Sequence, residues 1–544
     1  MDLELTIMNR TSQTPRALAA EAGASRRTLR GGTLVVSGLL LALSGCSNAE
    51  SESNGFDQSG TTGLTGDGDS SEDTGGTDGG PTGESDGGED EDSGAEGPSS
   101  ASEERGITHA QCDASAEQIV SYDLAEAQAE LAPVLVRENV LFGAGKVPQL
   151  PLTAQPFLNH FKFHYPPATS WDPEISGELW KPPVANADAP SRYRLQFAIR
   201  GPQVGAAQRD PVDLVIVVDL GPNMLGEPLE LAEAALAAVE AALVPGDRVT
   251  LIGAGKTPVI IGASTIIDAF GQMSLTGLLD GTSPAGVADV AGALELAYET
   301  VDSPWDGQGQ ARVLLVSNGH FQVNGALVNL VEDHAGSGHY LVSLGVGAPE
   351  LFADAPLREL AAQGRGPLLY ARTAEELLTN VHERFTAHML AAATDIQISL
   401  MLPPGLAIRV RDELPPKLGD PEQALLGPND LLVFHHELEL CGELAEDAVV
   451  VVALEWVDPL IGVAKQTIWE QPVAELGFGS KDTRKGAATV AYVRALRGYR
   501  DGKLPSANYG AVLDAISLIA DALGSQPYDL DLIEMSTVLG KLEN

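Results

Sequence analysis

The chain has 544 residues and a formal net charge of −43, divided as +2 over 1–45, −16 over 46–105 and −29 over 106–544. So acidic a folded region argues against nucleic acid as a partner and against adhesion to anionic head groups, since both need a basic face. It also keeps the protein soluble, and a solvated acidic surface is the simplest reading of it.

The first element is an apolar run from Thr33 to Gly45, preceded by Arg26, Arg27 and Arg30 and closed by Leu43-Ser44-Gly45-Cys46. It is too short for a membrane-spanning helix, which needs about 20 apolar residues. A positive flank, a short apolar core and small residues before a cleavage point predict a secretory signal. With the cysteine where it stands, 1–45 resembles a bacterial lipoprotein signal. That resemblance implies lipid attachment at Cys46, which becomes the acylated first residue. Stable anchoring takes more than one acyl chain, each buried methylene contributing about 0.8 kcal/mol, and a triacylated cysteine meets that need. Ser47 follows where Asp would imply inner-membrane retention, so the outer membrane is the expected location. Ser25-Arg26-Arg27 looks like a twin-arginine signal, but the residues after it fit poorly and general secretion is expected.

Residues 46–105 are rich in Gly, Ser, Thr, Asp and Glu and almost devoid of apolar side chains. Such a composition cannot offset chain entropy by burial, so a disordered tether is predicted. Its reach is about 40 Å root-mean-square, and more with charge repulsion. Asp67-Gly68-Asp69 and Glu89 to Asp92 could hold calcium loosely, but a plain spacer explains them as well. In an oxidising compartment Cys112 and Cys441 form either one disulfide or two isolated buried thiols.

A flanking region (106–209) precedes a segment (210–391) in which short β-branched runs alternate with amphipathic stretches. Asp213 to Asp219 reads as a strand buried on both faces, and Glu227 to Val244 as a helix stopped at Pro245-Gly246-Asp247. Further strands are predicted at Val249 to Gly253, Pro258 to Gly262, Arg312 to Ser317, Tyr340 to Gly345 and Leu368 to Tyr370. Helices are predicted near Val290 to Val301, Gly325 to Ala335, Pro349 to Ala362 and Ala374 to Leu390. The alternation indicates an α/β fold, a doubly wound and mostly parallel sheet covered on both faces. Ligands on such sheets bind beyond the strands' carboxyl ends, where Asp219 and Ser317-Asn318 should lie.

The strand ending in Asp219-Leu-Gly-Pro-Asn-Met224, the Pro-Gly-Asp-Arg-Val249 turn and Arg312-Val-Leu-Leu-Val-Ser-Asn-Gly319 together resemble a von Willebrand factor type A (VWA) domain. Leu158 to Pro167 and the helical stretch Lys485 to Leu542 are similar to the flanks of one bacterial subfamily of VWA proteins. Ile396 to Leu402, Ala407 to Val410, Leu431 to Leu440 and Ala448 to Trp456 read as strands within a β-rich region (392–478). With Tyr193 to Ile199 they are expected to form a β-sandwich into which the VWA domain is inserted. A C-terminal helical region (479–544) completes the chain.

The resemblance implies a metal-ion-dependent adhesion site (MIDAS) holding one Mg²⁺ through Asp-x-Ser-x-Ser, a distant Thr and a distant Asp. Here Asp219 stands at the first position, but Gly221 and Asn223 replace the serines and Asn318 replaces the distant Asp. Ala288 falls at the Thr position, or Thr282 or Ser283 does if the helix begins earlier. Mg²⁺ sheds water reluctantly and one carboxylate attracts it weakly, so no cofactor is expected; weak binding of Ca²⁺ or Mg²⁺ through amide oxygens is the alternative.

Gly253-Ala-Gly-Lys-Thr257 lacks the first glycine of a phosphate loop, Thr250 standing in its place, and sits between strands. The Gly281 to Gly286 stretch lacks the glycine two residues after Ser283 that a nucleophile elbow needs. His160 and His164 fall in a strand-like alternation, and His435 and His436 should face opposite sides of a strand, so structural histidines are expected. No catalytic residues emerge, and no enzyme is expected. The leading expectation is a membrane-anchored protein-binding or scaffolding lipoprotein with an unidentified protein partner. Its rivals are a cation-dependent adhesion module using Asp219, Asn223 and Asn318, a hydrolase hidden in the flanks, and a purely structural paralogue.

Overall fold

Strands β1 (Gln118–Tyr122), β2 (Glu174–Trp180) and β3 (Arg192–Arg200) come first in the computed structural model, with helices α1 (Leu131–Arg137) and α2 (Ala154–His160) among them. The structure describes residues 115, 117–122, 131–183, 192–268, 274–303, 309–409, 425–502 and 509–543. The predicted signal and tether, with Cys46, and Cys112 lie outside the described residues.

The α/β segment then runs β4 (Val212–Asp219), α3 (Glu227–Ala242), β5 (Arg248–Ala254), β6 (Val259–Ile266), α4 (Leu275–Leu279) and α5 (Val290–Val301). It continues with β7 (Gln310–Ser317), α6 (Gly325–Gly336), β8 (Tyr340–Val346), α7 (Asp354–Gln363), β9 (Leu368–Ala371), α8 (Ala374–Leu377) and α9 (Phe385–Met389). The strands pair in the order β6-β5-β4-β7-β8-β9, parallel except for β6 at the edge. This is a doubly wound sheet whose strand order reverses between β4 and β7. β4 is buried along its whole length, so its sequence shows no polar alternation. Its side chains alternate between two cores: Leu214, Ile216 and Val218 pack with α3, and Val215 and Val217 with α5, α6 and α7.

The chain then returns to a β-sandwich with β10 (Ala393–Leu402), β11 (Leu406–Ile408), β12 (Leu425–Leu426), β13 (Leu431–Leu440), β14 (Val449–Val457) and β15 (Ala464–Pro472). One sheet has the order β1-β10-β14-β15, with β12 also on β10; the other is β11-β13-β3-β2. Since β3 and β10 lie in opposite sheets, the α/β segment is inserted into the sandwich. Inside it, Phe197 stacks on Phe434 with centroids 4.8 Å apart and Tyr122 meets Phe434 edge-on. Each such fully buried ring contributes about 2 kcal/mol through burial.

The predicted helical tail is a structural layer. It forms α10 (Lys481–Arg500), α11 (Tyr509–Ser525) and α12 (Leu530–Glu543), which share one apolar core with α2 and with Ala198 and Val433 on the outer face of the second sheet. Gly486 permits the close approach of α10: a Cβ there would fall 1.8 Å from Gln196 Oε1. Lys485 is buried with its ammonium donating to Asp529, to Asp531 and to the Lys162 carbonyl at 2.6–3.0 Å, which ties α10 to the start of α12.

Four local expectations need correction. His160 ends helix α2 and does not lie in a strand; burial of Phe157 and Leu158 against α10 and β13 sets that helix. The predicted helix Pro349 to Ala362 breaks after a single 3₁₀ turn and restarts at Asp354, because the Ala353 amide donates to the Asn318 carbonyl at 3.0 Å instead of continuing the helix. Ala374 to Leu390 is likewise interrupted by a π-helical turn, Leu378–Glu383. The strand at Ala407 to Val410 is Leu406–Ile408, fixed by its pairing with Leu438–Leu440.

Candidate functional site

Asp219 ends β4 at the point where the strand order reverses, and the residue is 2% exposed. Gly221, Pro222 and Met224 follow it in a tight turn in which the Met224 amide donates to the Gly221 carbonyl at 3.0 Å. Ser317 ends the neighbouring β7, and Asn318 follows it at the same rim. The Ser317 hydroxyl donates to Asp219 Oδ2 at 2.6 Å, and the Gly221 amide donates to Oδ1 at 2.8 Å. Both carboxylate oxygens are therefore engaged within the protein.

The remaining predicted positions also gather here. A Cβ on Gly221 would lie 3.3 Å from the Ala288 Cβ, so Ala288 occupies the location expected of the family's threonine. Thr282 is turned away, its hydroxyl donating to the Leu279 carbonyl at 2.8 Å. Asn318 Nδ2 donates to the Asn223 carbonyl at 2.7 Å, which pins the two asparagine-bearing loops together. Gly319 follows with φ +83, and a Cβ there would fall 1.8 Å from the Ala353 carbonyl oxygen, so only glycine fits.

Burial pushes the Asp219 carboxyl above its ordinary pKa, although the Ser317 hydroxyl, the Gly221 amide and nearby His320 each pull it down. A hard octahedral cation wants several oxygen donors, preferably anionic. The rim offers one carboxylate with both oxygens already accepting hydrogen bonds, and Gly221 and Ala288 bring no side-chain oxygen. The donor set does not fit Mg²⁺.

Around this rim stand exposed apolar side chains. Leu225 (58% exposed) closes the turn after β4, Val287 (83%) precedes Ala288, and Leu351 (57%) lies on the loop whose carbonyl meets His320 Nε2 at 2.9 Å. Composition alone gave no sign of this grouping, because the three residues lie on separate loops. The hydroxyl of Ser317 was also missed as the partner of Asp219; its place in Val-Ser-Asn-Gly319 was the available signal.

The rejected motifs resolve as structure. Gly255, Lys256 and Thr257 form the turn between β5 and β6, with the Gly255 carbonyl accepting from the Asp289 amide at 2.9 Å. His435 and His436 do face opposite ways: His436 Nε2 meets the Tyr122 hydroxyl at 2.7 Å inside the sandwich, and His435 Nδ1 meets Gln196 Oε1 at 2.8 Å beneath α10. Cys441 is disulfide-bonded, while the chain's other cysteines, Cys46 and Cys112, lie outside the described residues. No helix among the described residues is long and apolar enough to cross a membrane.

No protein-family model and no curated protein matches the chain. Among solved structures it is similar to a von Willebrand factor type A protein from Catenulispora acidiphila, at 14% identity over 66% of this chain and 89% of the other, with a TM-score of 0.42. It is also similar to the ArnB paralog VWA2 from Sulfolobus acidocaldarius, at 14% identity over 68% and 98% with a TM-score of 0.38. A third likeness is to a conserved hypothetical protein BatB from Bacteroides thetaiotaomicron, at 19% identity over 32% and 97% with a TM-score of 0.28. At such identities and scores these likenesses carry no weight for function. The doubly wound α/β fold itself rests on the strand order and on the helices covering both faces of the sheet.

Proposed function

We propose that this chain is an exported protein-binding module, lipid-anchored at Cys46 in the outer membrane, whose α/β rim captures a protein partner without a bridging ion. The observation that supports ion independence is the shortage of oxygen donors around Asp219, where Gly221 and Ala288 bring none. Capture by apolar contact is supported by Leu225, Val287 and Leu351, large side chains exposed on the loops that touch the rim. The fully buried centre of an interface is more apolar than its rim, so these side chains fit a surface that a partner covers. The partner should accordingly present an apolar patch, with a surface that tolerates the acidic charge of this chain.

Affinity capture from the native membrane, with wild type and Val287→Asp compared in EDTA and in millimolar Mg²⁺, tests the reading. The same protein should be retained by wild type under both conditions and lost with Val287→Asp. Retention only with Mg²⁺ would instead make the rim a cation-dependent adhesion site. The anchor is tested separately: Cys46→Ser should release the protein from the membrane fraction, and mass spectrometry of the mature N-terminus should show an acylated cysteine.

A further inference from the structure

At the opposite end of the sheet, where β7 and β8 begin, two helices end side by side. Asp302 caps the C-terminus of α5, His334 lies in the last turn of α6, and His339 ends the turn that leads into β8. His339 Nδ1 is 3.2 Å from Asp302 Oδ1, and His334 Nδ1 is 3.9 Å from the same oxygen. The three donor atoms all lie within 4.8 Å of one another. We propose that Asp302, His334 and His339 form a binding site for a divalent transition-metal ion of the zinc class.

Four observations carry this. First, a tetrahedral ion holding nitrogen and oxygen at about 2.0–2.1 Å needs its ligand atoms about 3.3 Å apart, so small side-chain rotations bring the three donors into place. Second, His339 Nδ1 is buried and has no hydrogen-bond partner among the described residues, despite its closeness to Asp302. A buried unpaired nitrogen is disfavoured by about 1–3 kcal/mol, and a metal ion between nitrogen and carboxylate would satisfy it. Third, the His334 ring lies flat on Tyr298, centroids 4.1 Å apart and planes 6° from parallel, which fixes the orientation of one ligand. Fourth, the C-terminal ends of α5 and α6 both present the negative pole of their backbone dipoles to this spot, which favours a cation.

The ligand chemistry selects the ion. Two imidazole nitrogens and one carboxylate suit zinc, nickel or cobalt and not Mg²⁺ or Ca²⁺, which take oxygen. Three protein ligands leave a coordination position open, and it adjoins a cavity of about 510 Å³ bordered by Ser337, Gly338 and Tyr340 as well as Asp302 and His339. Water or a small anionic ligand would occupy that position. The site is independent of the rim and would clamp the end of α5 to the turn before β8.

Calorimetric titration of the untagged, metal-stripped full chain with Zn²⁺, in excess Mg²⁺ to occupy the acidic surface, tests the proposal. One Zn²⁺ should bind per chain, and Co²⁺ should give the visible absorption of a tetrahedral nitrogen–oxygen site. His339→Ala should lose more affinity than the roughly 10–100-fold that removing even an outer-shell partner costs. His334→Phe, which keeps the stacking on Tyr298 but has no nitrogen, should do the same, and it decides the matter should His339→Ala unfold. Absence of Zn²⁺ uptake by wild type, or uptake undiminished in His334→Phe, would overturn the proposal and leave an ordinary histidine–aspartate contact.

Discussion

Asparagine and alanine at Asp219 separate a buried hydrogen-bond acceptor from a metal ligand. In the acceptor role, Asp219→Ala orphans the Ser317 hydroxyl and the Gly221 amide, both buried. Each orphaned donor costs about 1–3 kcal/mol, so the variant should lose roughly 2–4 kcal/mol once the relief of removing a buried carboxylate is counted. Asp219→Asn keeps one carbonyl oxygen at the same place and should stay within about 1 kcal/mol of wild type. The pH dependence has a definite sign. Because burial raises the folded-state pKa of Asp219, its favourable contribution is present below the ordinary aspartate range and is lost as pH rises through the raised value. The asparagine variant should therefore gain on wild type as pH rises. Urea titration followed by tryptophan fluorescence, with and without Mg²⁺, reads all three quantities. An ion bound with Kd a hundredth of the added concentration would add about 2.7 kcal/mol of stability, whereas none is expected. A Mg²⁺-dependent rise in wild type that disappears in Asp219→Asn would refute the reasoning about the rim.

Acid should weaken the sandwich through its buried histidines. Burial holds His436 down to about 4 and His435 well below its ordinary value, so both fold as neutral rings. Stability present above about pH 6.5 is then lost toward pH 4, by up to about 3 kcal/mol for His436, and His436→Gln should flatten that part of the denaturation-midpoint profile. Gly486→Ala would drive a methyl group into Gln196 and His435, with an overpacking cost of about 1–3 kcal/mol; faster proteolytic release of the C-terminal helices would report it. Asp247 accepts from Arg209 Nη1 at 2.8 Å and from the Val212 and Val244 amides, with neither charged side chain exposed. Asp247→Ala strands a buried guanidinium and should cost about 3–5 kcal/mol in the same urea assay, against a much smaller effect of cutting the exposed Arg358–Asp354 pair.

Much of the fold was legible because its signals are local. An unbroken apolar strand such as Asp213 to Asp219 is buried on both faces wherever it occurs, and adjacent residues such as His435 and His436 must diverge across a sheet. Strand–helix alternation likewise sends Asp219 and Asn318 to one rim, the carboxyl ends of the strands, while the point of reversal beside them belongs to the fold. The replacement of oxygen-bearing side chains by Gly221 and Ala288 is also a fact of the sequence, and it already weakens the case for a bound ion.

What the tertiary structure alone decided rests on contacts between residues far apart in the chain. Periodicity reports which face of an element is apolar, not which distant surface covers it, so the sequence marks α10, α11 and α12 only as helices, and their common core with Ala198 and Val433 belongs to the fold. The engagement of both Asp219 oxygens, the exposure of Leu225, Val287 and Leu351 on loops near the rim, and the meeting of Asp302 with His334 and His339 have the same origin. Each joins loops whose separation in sequence carries no pattern, and only packing of the elements between them fixes the distance.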